Sequence, residues 1–304
     1  MNNLVSGMFA IALFMMFVVD ISSGARGQAQ APAQSQGNDL KATMNQPVEP
    51  FHIIGNIYYV GASDIGSYLI VTPQGDFLLD GGFVETAPMI EASIQKLGFK
   101  LSDVKYILSS HEHLDHAGGI SALHSKTGAK FVALEQEVPG LKEGKSFPAA
   151  KPDQVIHDGD TVKLGDVVMA AHLTPGHTRG CTTWSTVVKD SGRSYNVVFL
   201  GSASVLPMYK LIDRPGAPAT YPSIEQDYEK TFRVLRSLPC DVFLGSHGSF
   251  YSLVDKRGVM EKKPPQNPFV DPWGYQAYIL RAEAVFQKEL AAERDAASAP
   301  APAK

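Results

Sequence analysis

Four potential metal ligands lie within six residues of this chain, in the segment HEHLDH at 111–116. Histidines two positions apart in an extended segment point to the same side, so His111 and His113 can share one ion. Asp115 and His116 would face away from that pair and could hold a second ion. Neutral imidazole and carboxylate are good zinc ligands. Since the chain has only nine histidines, three of them beside an aspartate favour a metal site over a solvated polar loop.

Two isolated histidines further along the chain are candidates for the remaining ligands. His177 follows a Pro-Gly turn in the segment TPGHT, and His247 lies in the segment GSHG. Each comes shortly after a predicted strand, and loops on a rigid scaffold commonly carry functional residues. Either histidine alone would more often be structural than a ligand. The other four lack such a setting and are interpreted as surface or core residues: His52, His124, His157 and His172. Of these, His172 is also a candidate partner for a ligand imidazole.

Apolar periodicity and turn signals predict the elements that carry these loops. Reverse turns at 55–56 and 73–75 predict two hairpins, one pairing 52–54 with 57–60 and the other 67–71 with 76–80. Helices are predicted over 88–97, 120–127, 224–238 and 277–292, with Ser223 as the N-cap of the third. Further strands are predicted at 104–108, 131–134, 161–164, 167–174, 182–188, 195–200 and 241–244. Strand runs with helices outside them indicate a layered α/β architecture.

Composition excludes several classes of protein. The 304 residues are 44% hydrophobic and 19% charged, which is typical of a globular chain. A net charge of -4 with no basic block gives no reason to expect a nucleic-acid partner. Only two cysteines occur, Cys181 and Cys240, so a disulfide-rich scaffold is excluded.

The two ends of the chain differ from the rest. Residues 8–19 form an apolar run too short to span a bilayer comfortably, and small residues follow. This pattern predicts a signal peptide over 1–25, cleaved on export to the periplasm, although the absence of Lys and Arg leaves an uncleaved anchor as the alternative. Composition predicts a flexible leader at 26–47 and a flexible tail at 296–304 around one domain at 48–295. A monomer without stable membrane association is expected after cleavage.

The segment HEHLDH matches the His-x-His-x-Asp-His signature of the metallo-β-lactamase superfamily, and TPGHT and GSHG follow in the order that superfamily requires. The chain resembles this superfamily from about residue 51 to about residue 289. The resemblance implies a four-layer αββα sandwich with the metals between its two halves. It also implies two zinc ions per chain, with His111, His113 and His177 holding the first and Asp115, His116 and His247 holding the second.

The second residue after the predicted strand 195–200 distinguishes members of the superfamily. Glyoxalase II-like, lactonase-like and RNA-processing members carry an aspartate there that bridges the two metals, whereas this chain has Ser202. Other β-lactamase subclasses carry a metal-binding cysteine, and a serine with an intact signature resembles subclass B3. Without the bridging carboxylate the site keeps more positive charge, which suits a substrate with a carboxylate near its scissile bond. β-Lactams are such substrates.

The resemblance therefore implies zinc-dependent hydrolysis of the β-lactam amide bond in penicillins, cephalosporins and carbapenems, by a metal-activated hydroxide and without a covalent intermediate. Asp115 would be the catalytic residue that orients the hydroxide. Ser202 and Ser204 would contact the substrate carboxylate, with Tyr209 as a further candidate, and ordinary turn chemistry is the alternative for the serines. The alternative functions are another hydrolase of this fold, such as a lactonase or thioesterase, and a periplasmic zinc-binding protein.

Two further expectations concern the surroundings of the site. Subclass B3 usually pairs a cysteine at the position of Cys240 with one in the C-terminal segment, but residues 271–275 contain no cysteine. Cys181 and Cys240 are therefore predicted to be free thiols. Asp80, at the end of a predicted strand, is the predicted carboxylate partner of a ligand imidazole.

Overall fold

Two β-sheets form the centre of this chain, whose computed structural model describes residues 41–143, 146–214 and 216–298. The first sheet has seven strands, and strands adjacent in sequence are adjacent in the sheet. These strands are β1 (Phe51–Ile54), β2 (Ile57–Tyr59), β3 (Tyr68–Thr72), β4 (Gly75–Leu79), β5 (Val104–Leu108), β6 (Lys130–Leu134) and β7 (Gln154–Ile156). Strands β1 to β4 pair antiparallel, and β4 to β7 pair parallel.

The second sheet has five strands in the order β12-β11-β10-β9-β8. They are β8 (Thr161–Leu164), β9 (Val167–Leu173), β10 (Thr182–Asp190), β11 (Arg193–Leu200) and β12 (Val242–Gly245). Strands β8 to β11 form an antiparallel meander, and β12 adds to β11 in parallel. The parallel addition requires a crossover between β11 and β12, and the helix predicted from Ser223 onward lies in that connection.

The described helices are α1 (Ala87–Lys96), α2 (Leu114–Ala117), α3 (Ile120–Thr127), α4 (Val138–Glu143), α5 (Ile224–Ser237), α6 (Leu253–Met260) and α7 (Pro272–Ser298). Short 3-10 turns occupy Leu101–Asp103 and Gly248–Tyr251. Within the described ranges, no helix combines the length and the apolar character needed to cross a membrane.

Side-chain alternation along β4 shows how the layers are held together. Because successive strand residues point to opposite faces, Phe77 and Leu79 enter the cluster between the two sheets, where they join Trp184 and Phe199. Leu78 instead joins the cluster beneath α1 and α3. On the other side, α5 and α7 pack on the second sheet through buried aromatic residues. The layers therefore run helix, sheet, sheet, helix, and the predicted αββα sandwich is confirmed.

The predicted hairpins, long strands and first three helices occur within a few residues of their expected limits, while the last helix, predicted over 277–292, extends over Pro272–Ser298. The short elements α2, α4, α6 and β7 were not predicted. Ser223 lies at the N-cap position of α5, as predicted, but its backbone is left-handed (φ 67°) and its side chain makes no capping hydrogen bond. N-cap residues whose side chains cap the helix typically have a β-region backbone. Glu225 and Asp227 instead place negative charge in the first turn of α5, where the helix dipole favours it.

The limits of the folded part need correction at both ends. Residues 41–47, predicted as part of the flexible leader, include a helical turn and hydrogen-bond through their carbonyls to the backbone of 63–65. Helix α7 continues to Ser298, beyond the predicted start of the tail. The predicted signal peptide lies outside the described residues. Cys181 and Cys240 are both free thiols, as predicted.

Candidate metal centre

The six predicted ligands come together at the ends of three strands. Segment 111–116 follows β5 and runs into α2, while His177 follows β9 and His247 follows β12. Their side chains form two groups, and within each group the three ligand atoms lie within 4.8 Å of one another. The first group is His111, His113 and His177, and the second is Asp115, His116 and His247. These are the two sets that the resemblance implied.

The first group presents three imidazole nitrogens to one point. His113 Nδ1 lies 3.1 Å from His177 Nε2. The Nδ1 atom of His177 donates to the Ser204 carbonyl at 2.8 Å, which leaves the lone pair of Nε2 free. His111 Nδ1 contacts the Ser110 hydroxyl at 3.0 Å, and its Nε2 is buried without a hydrogen-bond partner. Buried polar atoms are rarely left unpartnered, so this nitrogen fits a metal ion that would bind it.

Burial keeps these imidazoles in the form that binds metal. Desolvation lowers the pKa of His113 to about 4 and that of His177 to about 3. It also lowers the pKa of His111 well below its usual range, and the neighbouring histidines add to this effect. Since a metal binds the neutral imidazole, no proton has to be displaced from this group at neutral pH.

The second group places a carboxylate between two imidazoles. Asp115 Oδ2 lies 3.2 Å from His116 Nε2 and 3.4 Å from His247 Nε2, and the two Nε2 atoms are 3.2 Å apart. Desolvation opposes the charge on Asp115, but the positive charge and hydrogen bond of His116 and the charge of His247 hold the pKa of Asp115 well below its usual range. The group therefore combines one negative ligand with two nitrogen ligands, a donor set suited to zinc.

Asp80, the predicted partner of a ligand imidazole, lies beside His116. Its Oδ1 accepts a hydrogen bond from the Ser110 backbone N–H at 2.6 Å, and its Oδ2 is 3.7 Å from His116 Nδ1. The second contact is an ion-pair distance and not a hydrogen bond. Asp80 also has a left-handed backbone, with φ 63°. Such strained residues persist where the surrounding structure holds them, and they cluster at functional sites.

Asp64 orients His247, and no sequence motif predicts this role. Its Oδ2 accepts from His247 Nδ1 at 3.0 Å, and its Oδ1 accepts from the Ser249 backbone N–H at 2.6 Å. A carboxylate that holds the second nitrogen of a ligand histidine fixes its tautomer and ring orientation. No local motif marks Asp64, because it lies 183 positions from its partner in the sequence.

Two acids behind the first group were also missed. The Thr178 hydroxyl donates to Glu112 Oε2 at 2.7 Å, and the Ser109 hydroxyl donates to Glu137 Oε1. Desolvation raises the pKa of Glu112 to about 7. Desolvation, followed by the charge of Glu112, raises the pKa of Glu137 well above its usual range. The two carboxyl groups therefore lie close enough to interact, beneath the loops that carry the ligands.

The predicted substrate-binding residues lie along the loop after β11. Ser202 is only 2% exposed, and its hydroxyl oxygen accepts from the Ser204 backbone N–H at 3.3 Å. Ser204 is partly exposed, and its carbonyl holds His177. The Tyr209 hydroxyl donates to the carbonyl of His177 at 2.5 Å. Ser204 and Tyr209 thus contact His177, a ligand of the first group, while Ser202 contacts Ser204 and Cys181.

The remaining histidines make contacts away from the site. His172 contacts the Ser185 hydroxyl at 2.8 Å, so its proposed role as partner of a ligand imidazole is wrong. The other three contact a carboxylate or a carbonyl: His52 contacts Gly55, His124 contacts Asp153 and His157 contacts Glu135.

A family model described as the metallo-beta-lactamase superfamily matches residues 61–247. This range is more than half of the chain and contains all six ligand candidates, so the chain belongs to the metallo-β-lactamase superfamily. Within it, the chain is similar to solved members of subclass B3, among them BJP-1 of Bradyrhizobium japonicum. That structure is 39% identical, has a TM-score of 0.78, and the match covers 84% of this chain and 98% of that chain.

Two other solved structures show the same similarity. The native FEZ-1 metallo-β-lactamase from Legionella gormanii is 45% identical with a TM-score of 0.79, and the match covers 83% of this chain and 98% of that chain. LRA-12, a class B3 di-zinc metallo-β-lactamase from an Alaskan soil metagenome, is 31% identical with a TM-score of 0.76, and the match covers 81% and 96%.

Curated relatives with other activities match a shorter part of the chain. A hydroxyacylglutathione hydrolase from Rhodopseudomonas palustris is 34% identical over 116 residues, which are 38% of this chain and 41% of that protein. A mitochondrial persulfide dioxygenase from Homo sapiens is 31% identical over 124 residues, 40% of this chain and 41% of that protein. The chain spans about two fifths of the length of these relatives. Together, the comparisons support a hydrolase of the metallo-β-lactamase fold.

Proposed function

We propose that this chain hydrolyses the amide bond of β-lactams with two zinc ions, as an enzyme of subclass B3. The observation that carries the proposal is the combination of two complete ligand groups with Ser202 as the second residue after β11. A carboxylate there would neutralise part of the metal charge. Because this chain has a serine instead of that carboxylate, the site would keep more positive charge. A positive site favours a substrate with an anionic group. A β-lactam has its carboxylate close to the bond that is cleaved.

The protein's own groups have separable roles in this proposal. Zinc held by these residues would lower the pKa of a bound water molecule from 15.7 to about 7 and would polarise the carbonyl under attack. Asp115, whose pKa is held low, stays ionised at neutral pH and accepts a hydrogen bond from the attacking water, which orients it. His111, His113 and His177 would hold one ion, and Asp115, His116 and His247 would hold the other. No side chain acts as the nucleophile, so no acyl-enzyme forms.

The loop after β11 is the proposed contact for the substrate. Ser204 is partly exposed and lies next to His177, so its hydroxyl is the preferred contact for the substrate carboxylate. Ser202 is almost fully buried, and its hydroxyl oxygen accepts a hydrogen bond from the backbone of Ser204. It would therefore reach the substrate only through a bridging water. Tyr209, which holds the His177 carbonyl, borders the same space.

Turnover of a carbapenem and a chromogenic cephalosporin, measured beside a lactone and a glutathione thioester, tests the proposal. We expect chelator-sensitive turnover of the β-lactams and much weaker turnover of the other two. Ser202→Asp should reduce β-lactam turnover more than Ser202→Ala, because only the aspartate adds a negative charge. Faster thioester hydrolysis would favour the activity named for the hydroxyacylglutathione hydrolases. Stoichiometric zinc without any hydrolysis would favour a zinc-binding protein.

The proposed setting is the periplasm, with the chain acting as a monomer. This part of the proposal depends on the signal peptide expected over 1–25. N-terminal sequencing of protein from the periplasmic fraction tests it, and an intact Met1 on membrane-bound protein would contradict it. Sedimentation of the purified protein tests the monomer.

A further inference from the structure

The side chain of Glu112 leaves the metal centre although both of its neighbours in sequence are ligands. It runs against Gly140 in α4, where an added Cβ would lie only 2.4 Å from Glu112 Cγ. Its carboxyl group ends at Thr178, whose hydroxyl donates to Oε2 at 2.7 Å. A substituent at position 140 would close this path, so the glycine leaves the space that the glutamate occupies.

The Glu112–Thr178 hydrogen bond runs parallel to a contact between two ligands. Thr178 follows His177, and Glu112 precedes His113. The same two loops are therefore joined twice, by the hydrogen bond at 2.7 Å and by the approach of His113 Nδ1 to His177 Nε2 at 3.1 Å. The hydrogen bond needs no metal, so it can fix the spacing of the loops before an ion arrives.

Buried contacts anchor both partners to the core. Ser109, at the end of β5, donates to the fully buried Glu137, and its carbonyl accepts from Trp184 Nε1 at 2.8 Å. Gly180, two residues after Thr178, packs so closely on Glu137 that an added Cβ would lie 2.3 Å from the Glu137 backbone nitrogen. The segments on either side of the two ligand loops thus both contact Glu137. A site that is preorganised in this way loses less entropy when it binds its ion.

We propose that Glu112 is a positioning residue that holds the His113 and His177 loops at metal-binding distance through Thr178. It thereby sets the zinc affinity of the first ligand group. This inference rests on the two-metal centre of the proposed function but is independent of the substrate. Partners behind the ligands of metal sites typically contribute about 10–100-fold to metal affinity, and we expect a loss of that size when the hydrogen bond is removed.

Zinc dissociation constants, measured by competition with a chromophoric chelator, provide the test. The variants are Glu112→Ala, Glu112→Gln and Thr178→Val, each made in two backgrounds. His247→Ala disables the second group and reports on the first, and His177→Ala disables the first and reports on the second. In the His247→Ala background, Glu112→Ala and Thr178→Val should weaken zinc binding about 10–100-fold. Glu112→Gln keeps an acceptor oxygen and should stay within about threefold of the parent.

Thr186→Val is the matched control, because it likewise removes a buried threonine hydroxyl. The Thr186 hydroxyl donates to the Val168 carbonyl at 2.9 Å within the second sheet and does not contact Glu112. This variant should leave both affinities unchanged. Equal weakening of both groups by Glu112→Ala would indicate general loosening and overturn the proposal. A glutamine variant as weak as the alanine variant would also overturn it, as would unchanged affinity in Thr178→Val. Since zinc affinity is the readout, a failure to hydrolyse β-lactams would leave this test intact.

Discussion

Gly176 precedes the ligand His177, and replacing it with alanine should damage both folding and metal binding. Its backbone has φ +127°, a value that residues with a Cβ atom rarely adopt. An added Cβ would lie 2.7 Å from Cγ of the Tyr228 ring, and that ring is fully buried. The alanine therefore faces two separate penalties, one from its own backbone and one from the aromatic ring that it displaces.

The size of the effect follows from these two penalties. A strained backbone position costs about 1–3 kcal/mol, and overpacking a buried site costs a further 1–3 kcal/mol or so. The sum is about 2–6 kcal/mol, a large share of the roughly 5–15 kcal/mol that stabilises a typical domain. The Tyr228 hydroxyl donates to the Ser204 carbonyl at 2.7 Å, and the same carbonyl accepts from His177 Nδ1 at 2.8 Å. A displaced Tyr228 would therefore move the acceptor that orients this ligand.

Urea unfolding and zinc titration of Gly176→Ala measure the two effects. Gly192→Ala is the control, because Gly192 also has positive φ (+80°) but nothing lies within 4 Å of its added Cβ. The control should show only the backbone penalty of about 1–3 kcal/mol and should keep the zinc affinity of the parent. If Gly176→Ala loses no more stability than the control and binds zinc normally, the packing of Tyr228 on Gly176 does not position His177.

Three further predictions concern single groups or the metal. Asp64→Ala should weaken zinc binding at the second group about 10–100-fold in chelator competition, because His247 loses the carboxylate that orients it; unchanged affinity would show that Asp64 has no such role. Desolvation raises the pKa of Asp76 from 3.8 to about 6 in the folded protein, so the native state holds this proton more tightly than the unfolded state. The resulting stabilisation is present below about pH 4 and is lost as the pH rises through about 6. The free energy of unfolding of Asp76→Asn in urea should lack this pH-dependent contribution. A difference in unfolding free energy between parent and variant that stays constant from pH 4 to 7 would refute the prediction. Removing the metal with a chelator should lower the melting temperature, since an ion at 100 times its dissociation constant adds about 2.7 kcal/mol per site; a melting temperature that does not respond to added zinc would contradict two bound ions.

Features with local causes could be predicted from the sequence. The turn at Gly55 needs a positive φ (56°), and glycine followed by asparagine between two apolar runs indicates that turn directly. The ligand segment 111–116 likewise carries its own signal, because three histidines and an aspartate have few other uses so close together. His177 and His247 were identified by their position after strands, and the order of the motifs assigned them to the two groups.

Features that depend on contacts between distant loops could not be predicted. Asp64 and His247 lie 183 positions apart, and Glu112 and Thr178 lie 66 positions apart. Their meeting depends on how the two sheets pack, which no local periodicity records. In the sequence Glu112 is only a polar residue between two ligands, and a solvated side chain is the ordinary expectation for it. Short elements such as α2 were missed for a related reason, since four residues are too few to show a helical period.

The burial of Ser202 connects the fold to the proposed choice of substrate. Its backbone N–H points to the buried thiol of Cys181 at 3.2 Å, and the side chain is 2% exposed. A carboxylate at such a position would be stable only if nearby metal ions compensated its charge, because an isolated buried charge is very costly. A serine needs no such compensation, so the metal charge remains for a ligand that arrives from solution. In the proposed function, the second residue after β11 would thus determine how much positive charge the site offers its substrate, while the six ligands and the fold around them stay the same.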